Sequence, residues 1–313
     1  MSAIVTTAAR RRYHDLSIAR HQLQCALGLT VMIERTRLRA STVGVVEDVR
    51  AVVAAGSGPE GFSPDFQVCL PYRGVFTWHV GGDAVVSDAN QVLFVTGDES
   101  FHITQPSRGS YAELIITPSR RLLAELAHEH GYRPLESHVL FRRRSRRASP
   151  RVQLQSARLL HCARRRAADG LEIEEAVIDL LRDAFDSVDS KPASTAAASP
   201  VTDRTKTFLE AHLTDPIRLG SVASAVGVSA AYLTDLFRRT EGISLSRYVK
   251  QLRLARALVE LPHANDLTAL ALGLGFSSHS HFTAAFRRTF GCTPSRFRGD
   301  MKEIALEREN RPD

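Results

Sequence analysis

The chain has 313 residues, 43% of them hydrophobic, enough for a packed core and against global disorder. Net charge is +7, and Lys occurs only at 191, 206, 250 and 302, so Arg carries the positive charge. Arg meets phosphate with a planar, permanently charged fork, which points to an anionic partner, nucleic acid first and membrane surface second.

In chain order, Arg10-Arg11-Arg12 precedes the polar "YHDLSIARHQLQ", where a signal peptide would place its apolar segment. No later run approaches the roughly 18 apolar residues of a membrane span. Cys25, Cys69, Cys162 and Cys292 form no CxxC pair, which argues against a zinc ribbon or a disulfide framework. A cytoplasmic protein without membrane association is expected.

From about Leu38 to Ile116 the pattern is strand-like. "VFTWHVGGDAVV" alternates around Gly81-Gly82, a two-residue hairpin signal, and "NQVLFVTGDESFHI" and "AELIITP" add short β-branched runs. A sandwich or small barrel over about 35–118 is expected. From Ser119 the period becomes helical: "SRRLLAELAHEHG" ends at Gly131, and "VQLQSARLLHCARRRAADG" pairs with "EIEEAVIDLLRDAF" across Asp169-Gly170. The apolar positions of that pair suit either a dimer seam or docking onto the strands. "FRRRSRRASPR", Phe141 to Arg151, is a solvated loop or a supplementary phosphate-contacting patch. "DSKPASTAAASP", within 188–202, reads as a flexible linker that closes a first domain of 1–187.

After the linker the chain repeats itself approximately. "LGSVASAVGVSAAYLTDLFRRTEGISLSRY" and "LTALALGLGFSSHSHFTAAFRRTFGCTPSRF" align on Gly227 and Gly275, with the second turn one residue longer. In each, a Gly permits a left-handed turn. A Ser, Ser229 or one of Ser277 and Ser278, caps the next helix. That helix then buries one apolar face: Leu233, Leu236 and Phe237, or Phe282, Ala285 and Phe286. This is helix-turn-helix chemistry, with "SRYVKQLRLARALVEL" as the rigid connector. Two such units on one chain can enter successive major grooves of double-stranded DNA, about 34 Å apart.

The segments "VGVSAAYLTDLFRRTEGISLSRYV", "RLARA" and "GFSSHSHFTAAFRRTFGCTPSRFR" resemble the DNA-binding domain of the AraC/XylS family of bacterial transcription regulators. The resemblance covers Leu219 to Arg298. It implies seven helices over about 203–300, a tail at 301–313, promoter DNA as partner, and activation through RNA polymerase. The upstream half resembles, less specifically, the family's cupin-like sensory domain, which implies effector binding, homodimerisation, or both. The expected fold is α+β, a cupin-like β-barrel with a helical hairpin followed by an all-α domain.

On this reading Ala231, Thr234, Asp235, Ser278, His279, Ser280 and Ala284 face the bases. By the resemblance, the first three occupy base-reading positions. Asp235 departs from the basic residue of some relatives and is equally suited to pair with Arg238 or Arg239. Arg238, Arg239, Lys250, Arg253, Arg287, Arg288, Arg296 and Arg298 are phosphate candidates, with Arg253 also suited to pairing within the domain. His279 and His281, two apart on a helix, diverge by about 200° and cannot easily share a metal. Tyr72, Phe76, Trp78, His79, Phe101 and His102 are candidates for an effector pocket. A cupin enzyme would need HxH and a later carboxylate and His; His79 is followed by "VGGD", so no metal, cofactor or catalytic residue is expected.

Overall fold

The computed structural model describes residues 18–24, 30–53, 56–105, 109–129, 144–165, 169–186 and 199–309. The linker core, Gly131 and the start of the Arg-rich run lie outside them.

Eleven strands are described: β1 (Ile18–Gln24), β2 (Thr30–Ala40), β3 (Gly44–Val53), β4 (Gly56–Ser63), β5 (Gln67–Arg73), β6 (Phe76–Val80), β7 (Asp83–Ser87), β8 (Gln91–Val95), β9 (Glu99–Gln105), β10 (Gly109–Pro118) and β11 (Ser145–Arg147). They form two antiparallel sheets, ordered β1-β2-β3-β10-β5-β8-β11 and β4-β9-β6-β7. No described pairing joins the two sheets, so the expected closed barrel is replaced by two facing sheets. Strands also begin earlier than about 35. β4 reads "GSGPEGFS", a weak strand sequence, and takes an edge, where Pro and Gly are tolerated. The β6–β7 hairpin turns at Gly81 and Gly82 with φ of 55° and 88°, the left-handed pair that a two-residue hairpin requires.

The central strands of the larger sheet are covered on both faces. Val49, Cys69, Phe76, Trp78, Leu93 and Tyr111 pack between the sheets. On the other face Val68, Leu70, Phe94, Leu114 and Ile116 meet helices α1 (Arg120–Glu129), α2 (Pro150–Arg165) and α3 (Gly170–Asp186). Two-sided burial explains the apolar run Leu114-Ile115-Ile116, whose members alternate between the two cores. Asp169 and Glu172 cap α3 reciprocally, at 2.8 and 3.1 Å.

Seven α-helices follow: α4 (Pro200–Ala211), α5 (Leu219–Val226), α6 (Ala230–Glu241), α7 (Leu245–Glu260), α8 (Leu267–Gly273), α9 (His279–Phe290) and α10 (Pro294–Glu309), with a 3-10 turn at Leu261–His263. Since α10 runs through Glu309, a tail starting at 301 would begin inside a helix. Helix α7 feeds two cores. Tyr248 and Leu252 pack with Val222, Leu233 and Phe237. Leu254 and Leu258 pack with Phe282, Phe286 and Phe297. The apolar faces of α2 and α3 are likewise accounted for: α3 lies on the sheet, and α2 also lends Ala157 to the second of these cores. Among the described residues, no single helix is long and apolar enough to cross a membrane.

Candidate nucleic-acid interface

The first unit is α5–turn–α6. Gly227 ends α5 at φ 74°, and Ser229 accepts from the Tyr232 amide at 3.2 Å to start α6. The second is α8–turn–α9. Gly275 sits at φ 78°, and Ser278, rather than Ser277, accepts from the His281 amide at 3.1 Å. From glycine to cap is two residues in the first unit and three in the second, the inequality the repeat predicts.

Each recognition helix buries one face and shows the other. Leu233 and Phe237 are fully buried on α6, as are Phe282 and Phe286 on α9. On α6, Ala231 and Asp235 are exposed and Thr234 half-buried, its hydroxyl donating to the Ala230 carbonyl at 2.8 Å. Asp235 pairs with Arg239 one turn on, at 3.0 Å and well exposed, which leaves Arg238 at the surface as a phosphate candidate. On α9, Ser278, Ser280 and Ala284 are exposed and His279 is half-buried, its Nε2 3.5 Å from the Thr283 hydroxyl. His281 points elsewhere, to the Ser277 hydroxyl at 3.1 Å and edge-on to Phe276.

The basic residues separate into two groups. Arg287, Arg288 and Arg296 are exposed around α9 and the start of α10, and Lys250 is half-buried on α7. Arg298, by contrast, is half-buried and donates to the carbonyls of Ala264 and Asn265 at 3.1 and 3.2 Å. Arg253 is structural: its guanidinium donates to the carbonyls of Leu213, Gly275 and Asp215 at 2.8, 2.6 and 2.7 Å.

A buried polar cluster unseen in the sequence joins this half to the strands. The Tyr248 hydroxyl donates to Asp88 at 2.6 Å, and the Asn90 amide group donates to the Tyr248 carbonyl at 3.2 Å. Gln153 donates to the Ala89 carbonyl and to Asn90. Lys206 pairs with Glu241 at 2.7 Å. Burial pushes the Asp88 carboxyl up to about 6, against the pull of Lys206 and its hydrogen bonds. Only a Ser-Asp-Ala-Asn turn after β7 hints at such a site.

The six effector-pocket candidates lie on three surfaces. Phe76 and Trp78 are buried between the sheets, with Phe101 half-buried beside them. His79 and His102 stack on the far face of the small sheet, 4.4 Å apart, with His79 bonded to Thr104. Tyr72 lies on the opposite face of the large sheet, donating to Asp48 at 2.6 Å under the Arg164 guanidinium. They do not converge on one cavity.

Two capped helix-turn-helix units on one connector, each with an exposed polar face and a basic rim, define a DNA-binding protein with paired reading heads. A family profile described as "Helix-turn-helix domain" matches residues 222–300. The chain is 35% identical over 92 residues to the regulatory protein SoxS of Salmonella typhimurium, covering 29% of this chain and 86% of SoxS. It is 36% identical over 97 residues to the regulatory protein PocR of the same organism, covering 31% of this chain and 32% of PocR. Among solved structures it is similar to an AraC-type transcriptional regulator from Chromobacterium violaceum, at 32% identity and a TM-score of 0.31, covering 33% of this chain and 92% of that one. The chain thus spans about a third of the length of the first curated relatives it matches. It belongs to the AraC/XylS family of DNA-binding transcription regulators.

Proposed function

We propose that the protein regulates transcription by placing α6 and α9 in successive major grooves of a promoter, and that its strand-rich half senses a small-molecule effector. The carrying observation is the pair of capped reading helices joined by α7, whose two halves feed both cores. Thr234 and Asp235 on α6 and His279 and Ser280 on α9 read base edges, while Arg238, Arg287, Arg288 and Arg296 hold phosphates. Mobility-shift titration of the full chain on its own upstream region tests this. Sequence-selective, salt-dependent retardation is expected, and its absence overturns the reading. His279→Ala is expected to change base preference at one position; unchanged preference removes that assignment.

The effector half of the reading rests on a cleft of about 1050 Å³ between the outer face of β2, β3 and β10 and the segment around His263 and Leu270. Met32 and Val52, a cross-strand pair each 55% exposed, line it beside Arg50 and Arg164. A ligand there would touch both halves. A thermal-shift screen of metabolites checks it, and a binder whose shift survives Val52→Arg places the effector elsewhere. The cupin-like reading of the strands, activation through RNA polymerase and a homodimeric state extend the proposal from the family. Light scattering of the full chain tests the dimer.

A further inference from the structure

The Arg-rich run 141–151 is the motif that neither reading head absorbs, and the structure sorts its described members by partner. Arg144 is taken by Glu99, at 2.7 Å through its second nitrogen, with Asp83 nearby. Arg146 donates to the Phe185 carbonyl and lies over the Phe94 ring. Arg151 pairs with Asp183 at 2.6 Å. Arg147 is exposed and has no such acid of its own. It donates to the Glu241 carbonyl at 3.1 Å, at the C-terminal end of α6. Its charged neighbours are Arg247 and Glu241, and the Glu241 carboxylate is held by Lys206.

Arg147 thus reaches from the strand-rich half to the turn between α6 and α7, where Arg247 opens α7 and the Glu241 carboxylate is already engaged by Lys206. Arg247 lies in the first turn of α7, which has no acidic residue to offset the positive end of the helix. Arg238 and Arg239 occupy the last turn of α6, the same end that Arg147 caps. Like charges gathered around one turn favour an anion with several acceptor oxygens between them.

We propose that Arg147, from the strand-rich half, joins Arg247 in gripping a backbone phosphate of the DNA bound by the first helix-turn-helix unit. The inference rests on the DNA-binding reading above and adds that the sensory half is itself part of the DNA-binding surface. Movement of that half would then alter affinity for all sequences at once, without touching a base-reading side chain.

The test is a salt titration of DNA affinity on the full chain, with its own upstream region and a random duplex as probes. Arg147→Gln keeps a donor for the Glu241 carbonyl but removes the charge. It is expected to weaken binding to both probes by about three- to tenfold and to lower the salt slope by about 1. Arg147→Lys keeps the slope. Arg247→Gln repeats the effect, and the double variant loses less than the product of the two because one phosphate is shared. An unchanged slope in Arg147→Gln, with or without weaker binding, assigns Arg147 to domain packing and overturns the proposal. Failure of the wild-type chain to bind DNA would instead remove the DNA-binding reading.

Discussion

A Cβ added at Gly227, in the first helix-turn-helix unit, would meet open space. The same addition at Gly275, in the second, would fall 2.6 Å from Arg253 and 2.9 Å from the Thr214 carbonyl. The second unit is clamped by that guanidinium and filled by a chain of ring contacts through Phe276, Phe282, Phe286, Phe290 and Phe297. In the first unit Arg204 donates to the Val226 carbonyl beside the turn glycine at 3.1 Å, but Gly227 itself is uncrowded. This unit is tied to the strand-rich half through Asp88, Asn90 and Tyr248, and through Lys206, which donates to the Val86 carbonyl at 3.4 Å while pairing with Glu241. The second docks on α2 mainly through apolar contact, with a bond between His161 and the Met301 carbonyl at 3.0 Å and an Arg158–Asp300 ion pair at 3.8 Å. One reading head is therefore rigid by its own construction, while the other takes part of its support from the half proposed to sense a signal.

That contrast can be broken in four ways, beginning with the largest effect. Arg253→Ala strands three carbonyls and is expected to cost about 3 kcal/mol or more in chemical denaturation, with Arg253→Lys recovering little, because only a planar fork reaches all three. Gly275→Ala should cost roughly 3 kcal/mol and Gly227→Ala about 1, both measured by thermal unfolding, since both positions are left-handed but only one is crowded. Equal losses would show that the clamp does not distinguish the units.

The third concerns pH. Asp88 has its folded value raised to about 6 from the ordinary 3.8, so the folded state holds its proton more tightly. Stability from this group is therefore fully present below about 4 and is lost as pH rises from about 4 to 6, by about 2–3 kcal/mol. Asp88→Asn keeps the Tyr248 acceptor and should remove that slope; the stability difference between variant and wild type at pH 5 and pH 7.5 reads it. His161 runs the other way. Burial, foremost, lowers its value below the usual 6.5, so support of the second unit weakens as pH falls below 6.5. The smallest effect is shared: Ser229→Ala and Ser278→Ala each remove a cap and should cost about 1 kcal/mol, with similar losses confirming that the two units start their helices alike.

Much of the DNA-binding half was legible along the chain. The turn glycines, the capping serines, the unequal turn lengths and the buried Phe-containing faces are all signals within about ten residues of one another. The same locality made the Gly81-Gly82 hairpin and the Asp169-Gly170 turn readable. β4 was missed because an edge strand needs little intrinsic propensity when β9 supplies its ladder. The six aromatic and histidine candidates were grouped by type, but strand alternation and sheet membership send them to different faces. Arg298 looked like a phosphate ligand until the loop at Ala264 and Asn265 folded over it.

By itself, the sequence determined two reading helices, their caps and turns, and a strand-rich partner with a basic run beside it, because periodicity and capping act between near neighbours. Only the tertiary structure decided what the arginines do. Arg253, Arg144 and Arg147 have the same side chain, yet one clamps a turn, one is neutralised by a carboxylate and one meets a like charge. Their partners lie 22, 45 and about 100 residues away along the chain. The depth of Asp88 was decided in the same way, since the hydroxyl that reaches it belongs to a residue 160 positions later. Burial and charge environment are properties of what packs around a group, and only the folded chain brings those neighbours together.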